Sequence, residues 1–316
     1  MHDPVLMAQI IGGAGFVAAL DQSGGSTPTA LTNYGISAHD YSGEEEMFAL
    51  IHQMRSRLIT APSFDGRKIL GAILFEKTMD GEVDGTPVPD LLRQRGIVPF
   101  VKIDQGLEDE NDGVRLMKPI RGLETLLDRA KAKGVFGTKM RSLINEASTK
   151  AIGAVVDQQF DIANRILDKG LIPIVEPEVN LKSKSRAECD AILLGALAKA
   201  LDKQPIGRRV MLKLSMPAAP DLFAPLVGHP SCARVLALSG GYSQEEACNE
   251  LAKNHALVAS FSRAPLQDLR AGMDDEEFNR VLAEKGLRAR RSTMYPAIRE
   301  ANLSSPKRRR MSANRA

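Results

Sequence analysis

The chain has 316 residues, 43% of them hydrophobic and 26% charged, with a formal net charge of +3. That length can bury a sizeable core, as one large α/β barrel or as two ordinary domains. Cys189, Cys232 and Cys248 show no C-x-x-C spacing and form no disulfide framework, which fits a reducing, cytoplasmic setting. No apolar run approaches the roughly 20 residues that cross a bilayer, so a membrane protein is not expected.

Taken in chain order, the segment I-I-G-G-A-G-F-V-A-A-L lacks the basic lead-in of a signal sequence. It reads as a first strand, F-V-A-A-L-D at 16–21, with its approach. Short apolar runs bounded by turn residues follow: I-L-G-A-I-L-F-E at 69–76, V-P-F-V-K-I-D at 98–104 and V-F-G-T-K at 135–139. The second half adds I-P-I-V-E at 172–176, V-M-L-K-L-S at 210–215, V-L-A-L-S at 235–239 and L-V-A-S-F-S-R at 257–263. The stretches between carry helix signals, among them G-L-E-T-L-L-D-R-A-K-A-K-G ending at Gly134. Ser185 with Glu188, and Ser243 with Glu246, have the spacing of capping boxes. Strand and helix alternating eight times predict a single α/β domain, a (β/α)8 TIM barrel over 1–303. A two-domain doubly wound protein is the alternative. Beyond it, S-S-P-K-R-R-R-M-S-A-N-R-A is a basic tail, 304–316, expected to be disordered and to make weak contact with polyanions. From Lys285 onward ten Lys or Arg face the single Glu300, so the preceding chain is net acidic.

Within V-M-L-K-L-S a lysine interrupts a run that otherwise reads as buried, and alternation puts Met211, Lys213 and Ser215 on one face. Lysine is rarely buried without a partner or a chemical task. The ends of the other runs are polar as well. Asp21 closes the first, Lys102 and Asp104 the third, Lys139 the fourth, Glu176 and Glu178 the fifth, and Ser239 and Arg263 the last two. In a barrel these positions converge on the C-terminal mouth, where sites are built.

Such a cluster supports imine chemistry. Near other cations and partly dehydrated, Lys213 would favour the amine form that attacks a carbonyl, with Lys139 as the like charge. Glu176 would move protons between carbinolamine and imine, and Asp21 would take one from a substrate hydroxyl. L-S-G-G-Y-S, with Ser239, Gly240 and Gly241, leads from a strand into a helix start, where anions bind. With Arg263 and the loop D-Q-S-G-G-S, which offers Ser23 and Ser26, it predicts a substrate phosphorylated at both ends. The five histidines lack ligand spacing and no P-loop occurs, so neither metal nor cofactor is expected.

These segments resemble class I fructose-bisphosphate aldolase, particularly its shorter bacterial-type branch. The resemblance rests on A-L-D-Q-S-G-G-S, I-L-F-E-K-T-M-D-G, V-P-F-V-K-I-D-Q-G, G-T-K-M-R, P-I-V-E-P-E, V-M-L-K-L-S and L-S-G-G-Y-S-Q-E-E-A, in order from about Ala18 to Arg263. It implies reversible, metal-free cleavage of fructose 1,6-bisphosphate to dihydroxyacetone phosphate and glyceraldehyde 3-phosphate on a (β/α)8 barrel, in glycolysis or gluconeogenesis. By the same resemblance Lys213 is the Schiff-base lysine, Glu176 the proton-transferring glutamate and Asp21 the aspartate acting on the hydroxyl beside the scissile bond. Lys102, Lys139 and Arg141 are the assisting basic residues, and Ser239, Gly240, Gly241 and Arg263 hold one phosphate. Ser23 and Ser26 resemble parts of the other phosphate site, and a homo-oligomer is implied. The terminal tyrosine of eukaryotic members has no counterpart in S-A-N-R-A, and Pro265 interrupts the run expected after Arg263. Another imine-forming barrel, an aldolase or transaldolase acting on a different phosphosugar, and a non-catalytic phosphosugar-binding scaffold are the alternatives.

Overall fold

A computed structural model describes residues 3–261, 268–284 and 286. Eight parallel strands run in sequence order: β1 Phe16–Leu20, β2 Ile69–Leu74, β3 Val98–Lys102, β4 Gly137–Ile144, β5 Ile172–Val179, β6 Val210–Ser215, β7 Cys232–Leu238 and β8 Val258–Ala259. Each pairs with the next and β8 returns against β1, giving a nearly closed (β/α)8 barrel. All eight predicted runs therefore become barrel strands. Among the described residues β8 is only Val258–Ala259, and Arg263 lies outside them. The basic tail 304–316 and the domain boundary at 303 also lie outside the described residues.

The strands read as continuous apolar runs because the barrel buries both of their faces. Outside, helices including Gly43–Thr60, Leu123–Ala132, Thr149–Asp168 and Arg186–Asp202 lay apolar stripes on the sheet and form the larger core. Inside, Val17, Ile73, Phe100, Ile174, Met211 and Leu236 fill the lower barrel. Phe100 fits because a glycine on each adjoining strand, Gly137 on β4 and Gly71 on β2, lies against its ring. A Cβ built on Gly137 would stand 2.9 Å from the Phe100 ring, and one on Gly71 3.0 Å from it.

The N-terminal end of the barrel is closed by a helix, Pro4–Gly12, where the sequence reading placed only the approach to a strand. The signals are the Asp3 carboxylate, which accepts from Val5 and Leu6 N–H, and Pro4 in the first turn. The helix brings Met7 and Ile10 onto the barrel floor. Gln9 Nε2 donates to the Gly96 carbonyl at 2.6 Å, and Arg234 holds the carbonyls of Ile11 and Gly13. The predicted capping box at Ser243 and Glu246 forms. The one at Ser185 does not, because the Ser185 hydroxyl accepts instead from the Ala147 N–H at 3.0 Å.

Candidate active site

Above the apolar floor the barrel interior turns charged. The side chains two residues further along the same inward faces are Lys102 above Phe100, Glu176 above Ile174 and Lys213 above Met211. Register sets Lys102 directly beside Lys139 and Arg141 beside Glu176. Lys213 is 5% exposed, Glu176 3% and Lys139 2%.

The charges pair across the mouth. Lys213 Nζ lies 2.9 Å from Glu176 Oε1, and Lys139 Nζ lies 3.1 Å from Glu176 Oε2 and 2.7 Å from Asp21 Oδ2. Lys102 Nζ reaches Asp104 Oδ1 at 2.9 Å and donates to the Asp104 carbonyl at 2.6 Å. Asp104 in turn stands 3.8 Å from Lys139, and Arg141 pairs with Glu178.

Electrostatics follow from this crowding. Burial opposes ionisation of Asp21, but Lys139, Lys213 and Lys102 outweigh it and hold the carboxyl far below the usual carboxylate range. Glu176 is likewise lowered, its burial overcome by Lys139 and Lys213 despite the nearby Asp21. Burial disfavours a charged Lys139, yet Asp21, Glu176 and Asp104 together raise it above the ordinary lysine value. The sequence reading used Lys139 as a cation pressing on Lys213. The structure makes it first the shared partner of three carboxylates.

Backbone pairing between β5 and β6 stops just below the ion-paired residues Glu176 and Lys213. Backbone register between β5 and β6 covers only Ile174 with Met211 and Val175 with Leu212. Side chains take over above that point. Gln159 Oε1 accepts from the Glu176 N–H at 2.8 Å. Ser215 Oγ accepts from the Val179 N–H at 3.0 Å and donates to its carbonyl at 2.7 Å.

Two Gly/Ser loops leave the same C-terminal end of the barrel. After β1, Ser26 Oγ accepts from the Ser23 N–H at 3.0 Å and donates to the Ser23 carbonyl at 2.9 Å, closing a one-turn cap over Gly24–Ser26. After β7, Ser239 is buried and its carbonyl accepts from the Tyr242 N–H at 2.9 Å. Gly240 and Gly241 take φ of 56° and 116°, a left-handed path that favours glycine and turns the chain into helix Gln244–Leu251. Leu238 pairs with Ser215, so this loop starts beside the end of β6.

The sequence-predicted Lys213, Glu176, Asp21, Lys139 and Lys102 thus meet in one buried cluster, joined through charge by Arg141. Sequence reasoning missed Gln159 and Arg55. Arg55 has no solvent exposure, and its Nη2 donates to the Gln22 carbonyl at 2.7 Å. Each is a polar residue in the apolar stripe of a helix, Gln159 between Val155 and Ala163, Arg55 between Ile51 and Ile59. That was the available signal.

The family model for fructose-bisphosphate aldolase class-I matches residues 8–218, two thirds of the chain and six of the eight strands. The chain belongs to the class I fructose-bisphosphate aldolase family. The match ends before the Ser239–Gly241 loop. Among solved structures, fructose-bisphosphate aldolase from Plasmodium falciparum, determined with TRAP and a small-molecule inhibitor, is similar with a TM-score of 0.72. It is 23% identical, over 90% of this chain and 92% of that one. A Schiff-base-forming fructose-1,6-bisphosphate aldolase is 15% identical over 89% of this chain and 98% of that one, at a TM-score of 0.52. The Corynebacterium glutamicum protein Cgl0159 is 10% identical over 93% and 94%, at 0.55. These likenesses concern the barrel fold alone; among the described residues no helix is long and apolar enough to cross a membrane.

Proposed function

We propose that the protein cleaves fructose 1,6-bisphosphate reversibly to dihydroxyacetone phosphate and glyceraldehyde 3-phosphate through a Schiff base on Lys213. The observation that carries the reading is the buried Lys213 amine 2.9 Å from a Glu176 carboxylate, at the open C-terminal mouth of the barrel. Glu176 Oε1 is within reach to take the proton that Lys213 must lose before its nitrogen attacks the ketone carbon. The carbinolamine then loses its hydroxyl as water, with a proton returned from Glu176, leaving a protonated imine.

Asp21, held ionised by Lys139, takes the proton from the hydroxyl on the carbon beyond the scissile bond. That C–O bond becomes a carbonyl, the carbon–carbon bond breaks, and its electron pair flows into the imine to give an enamine. Glyceraldehyde 3-phosphate leaves. Protonation of the enamine carbon and hydrolysis of the imine release dihydroxyacetone phosphate and restore Lys213. The route needs no metal, because the protonated imine is the electron sink.

Lys102, Lys139 and Arg141 are the cations that face the sugar. Ser239, Gly240 and Gly241, at the start of helix Gln244–Leu251, would receive one phosphate. Arg263 belongs to the same proposal, and Ser23 and Ser26 in the loop after β1 would receive the other phosphate. The test is to incubate the protein with dihydroxyacetone phosphate and EDTA, reduce with borohydride, and map the adduct by mass spectrometry. An adduct on Lys213, with fructose 1,6-bisphosphate cleavage surviving EDTA, is the expected result. A folded protein that carries no adduct would sink the reading.

A further inference from the structure

Arg55 is the largest side chain among the described residues that is wholly out of solvent. Its helix, Gly43–Thr60, turns Met47, Ile51, Met54 and Leu58 to the core, and a guanidinium on that stripe is costly to bury. Its partners are specific. Nη1 donates to Thr78 Oγ1 at 2.7 Å, and Nη2 donates to the Gln22 carbonyl at 2.7 Å and to Gln22 Oε1 at 3.4 Å. Gln22 follows Asp21 directly, and Thr78 lies in the short helix Glu76–Asp80 after β2. The planar fork therefore clamps the loop after β1 to the loop after β2, a geometry that a lysine ammonium cannot copy.

We propose that Arg55 is a positioning residue for the reaction: by holding the Gln22 peptide it fixes where the Asp21 carboxylate and the Ser23–Ser26 turn stand beneath the substrate. This rests on the aldolase reading of Asp21. Lys139 grips the Asp21 carboxylate from inside the barrel while Arg55 grips the adjoining peptide from outside it. Without that outer grip the ties among the described residues lead back to β1, which ends at Leu20 and whose Ala19 carbonyl accepts from Gln22 Nε2 at 3.3 Å.

Charge supports the same role. Asp21 is faced by Lys102 from β3, Lys139 from β4, Lys213 from β6 and Arg55 from its helix, with Glu176 of β5 as the opposing carboxylate. Burial pulls Arg55 down to about 10, with Asp21 acting the other way, which leaves it a cation at neutral pH. The cluster then holds Arg55, Lys102, Lys139, Arg141 and Lys213 against Asp21, Asp104, Glu176 and Glu178. Transfer of the Lys213 proton to Glu176 moves charge within the cluster and leaves it one net positive. With Arg55 removed, the same cluster would carry no net charge, and would lose that attraction as a bisphosphate approaches.

The experiment compares R55M, R55K and wild type by fructose 1,6-bisphosphate cleavage across pH, borohydride trapping at Lys213, and thermal melting. R55M is expected to lose about tenfold in kcat, less than the roughly 10²–10⁴ lost when an acid–base group is itself removed. Its acid limb should move to higher pH because Asp21 has lost a cation, while the Lys213 adduct still forms. R55K is expected to return the acid limb towards wild type but to leave kcat low, since one ammonium cannot span Thr78 and Gln22. A folded R55M with wild-type kcat, KM and pH profile overturns the proposal. So does a loss that vanishes when rates are expressed per trapped Lys213, for that is a purely structural effect. If R55M does not fold, T78V removes one arm of the clamp and should lower kcat several-fold with an unchanged melt; wild-type kcat in T78V overturns the proposal. Wild-type protein inert on fructose 1,6-bisphosphate ends the aldolase reading itself, whereas active wild type with unaffected Arg55 variants ends only this inference.

Discussion

Lys213 Nζ stands 2.9 Å from Oε1 of Glu176, and the two residues sit just above the last backbone pair that joins β5 to β6. Backbone pairing of the two strands thus ends just below this ion pair, and Ser215 ties them together again at Val179. Gln159 and Ser215 supply from side chains the hydrogen bonds that the opened ladder no longer makes. E176Q keeps the volume of the side chain but removes its ability to exchange protons. It is expected to lower kcat by about 10² to 10⁴ with little change in KM, as general acid–base groups do. Steady-state kinetics decide this, and a variant within a few-fold of wild type would remove Glu176 from the proton-transfer role.

Lys139 is the electrostatic hub, with Asp21 at 2.7 Å, Glu176 at 3.1 Å and Asp104 at 3.8 Å. K139M leaves buried carboxylates without their shared cation, a change that costs about 3–5 kcal/mol where one partner of a buried pair is removed. Urea melts at neutral pH should show that loss, and it should shrink in acid, where the carboxyls protonate. A K139M midpoint equal to wild type would mean that Lys102 and Lys213 suffice.

The same shifts set the pH dependence of stability. Asp21 and Glu176 are lowered in the folded state from ordinary values of 3.8 and 4.5, so their contribution is fully present above the ordinary values. It is lost as pH falls through the lower folded values. Lys139 is raised from 10.5, so its contribution holds below that value and fades only as pH rises beyond it. Stability should therefore be flat with respect to these groups from about pH 5 to about pH 10 and fall on the acid side. A melting series against pH measures this; a steep decline already at pH 6 would assign acid sensitivity to other groups.

Much of this was legible in the sequence, for a physical reason. Strands buried on both faces cannot alternate, so the eight barrel strands stand out as apolar runs, and a polar residue at such a run's end marks the mouth. Lys213, Glu176, Asp21, Lys139 and Lys102 were found that way. Their pairings were not legible, because which carboxylate meets which lysine depends on barrel tilt and closure. Arg55 and Gln159 stayed hidden because helices tolerate polar residues on most faces, and only the phase of the stripe shows that these two point inward. The opening helix was masked by its Gly-rich end, although Asp3 and Pro4 announced it.

Arg186 joins two loops at the mouth. It donates to the Tyr242 hydroxyl at 3.2 Å and to the Met216 carbonyl, linking the turn after β7 to the end of β6. Buried Asp190 backs it at 3.9 Å and accepts from the Ala218 N–H at 2.8 Å. R186M should free the Ser239–Tyr242 turn and raise KM for a phosphorylated substrate several-fold, with a smaller change in kcat. Equal KM in the two proteins would show that this turn needs no such tether.

Gly137 tests how the apolar floor supports the charged layer above it. An added Cβ there would meet the Ile172 carbonyl oxygen at 2.1 Å and the Phe100 ring at 2.9 Å, and Lys139 stands two residues further along the same face of β4. G137A is therefore expected to cost about 1–3 kcal/mol by overpacking. It should also lower kcat, because a strand displaced at Gly137 carries the Lys139 amine with it. Adding F100L removes the ring contact but not the carbonyl contact, so the double variant should recover only part of both losses. Full recovery of stability and rate would mean that the ring alone sets the limit and that β4 and β5 yield at Ile172. No recovery would place the strain wholly in the backbone between them.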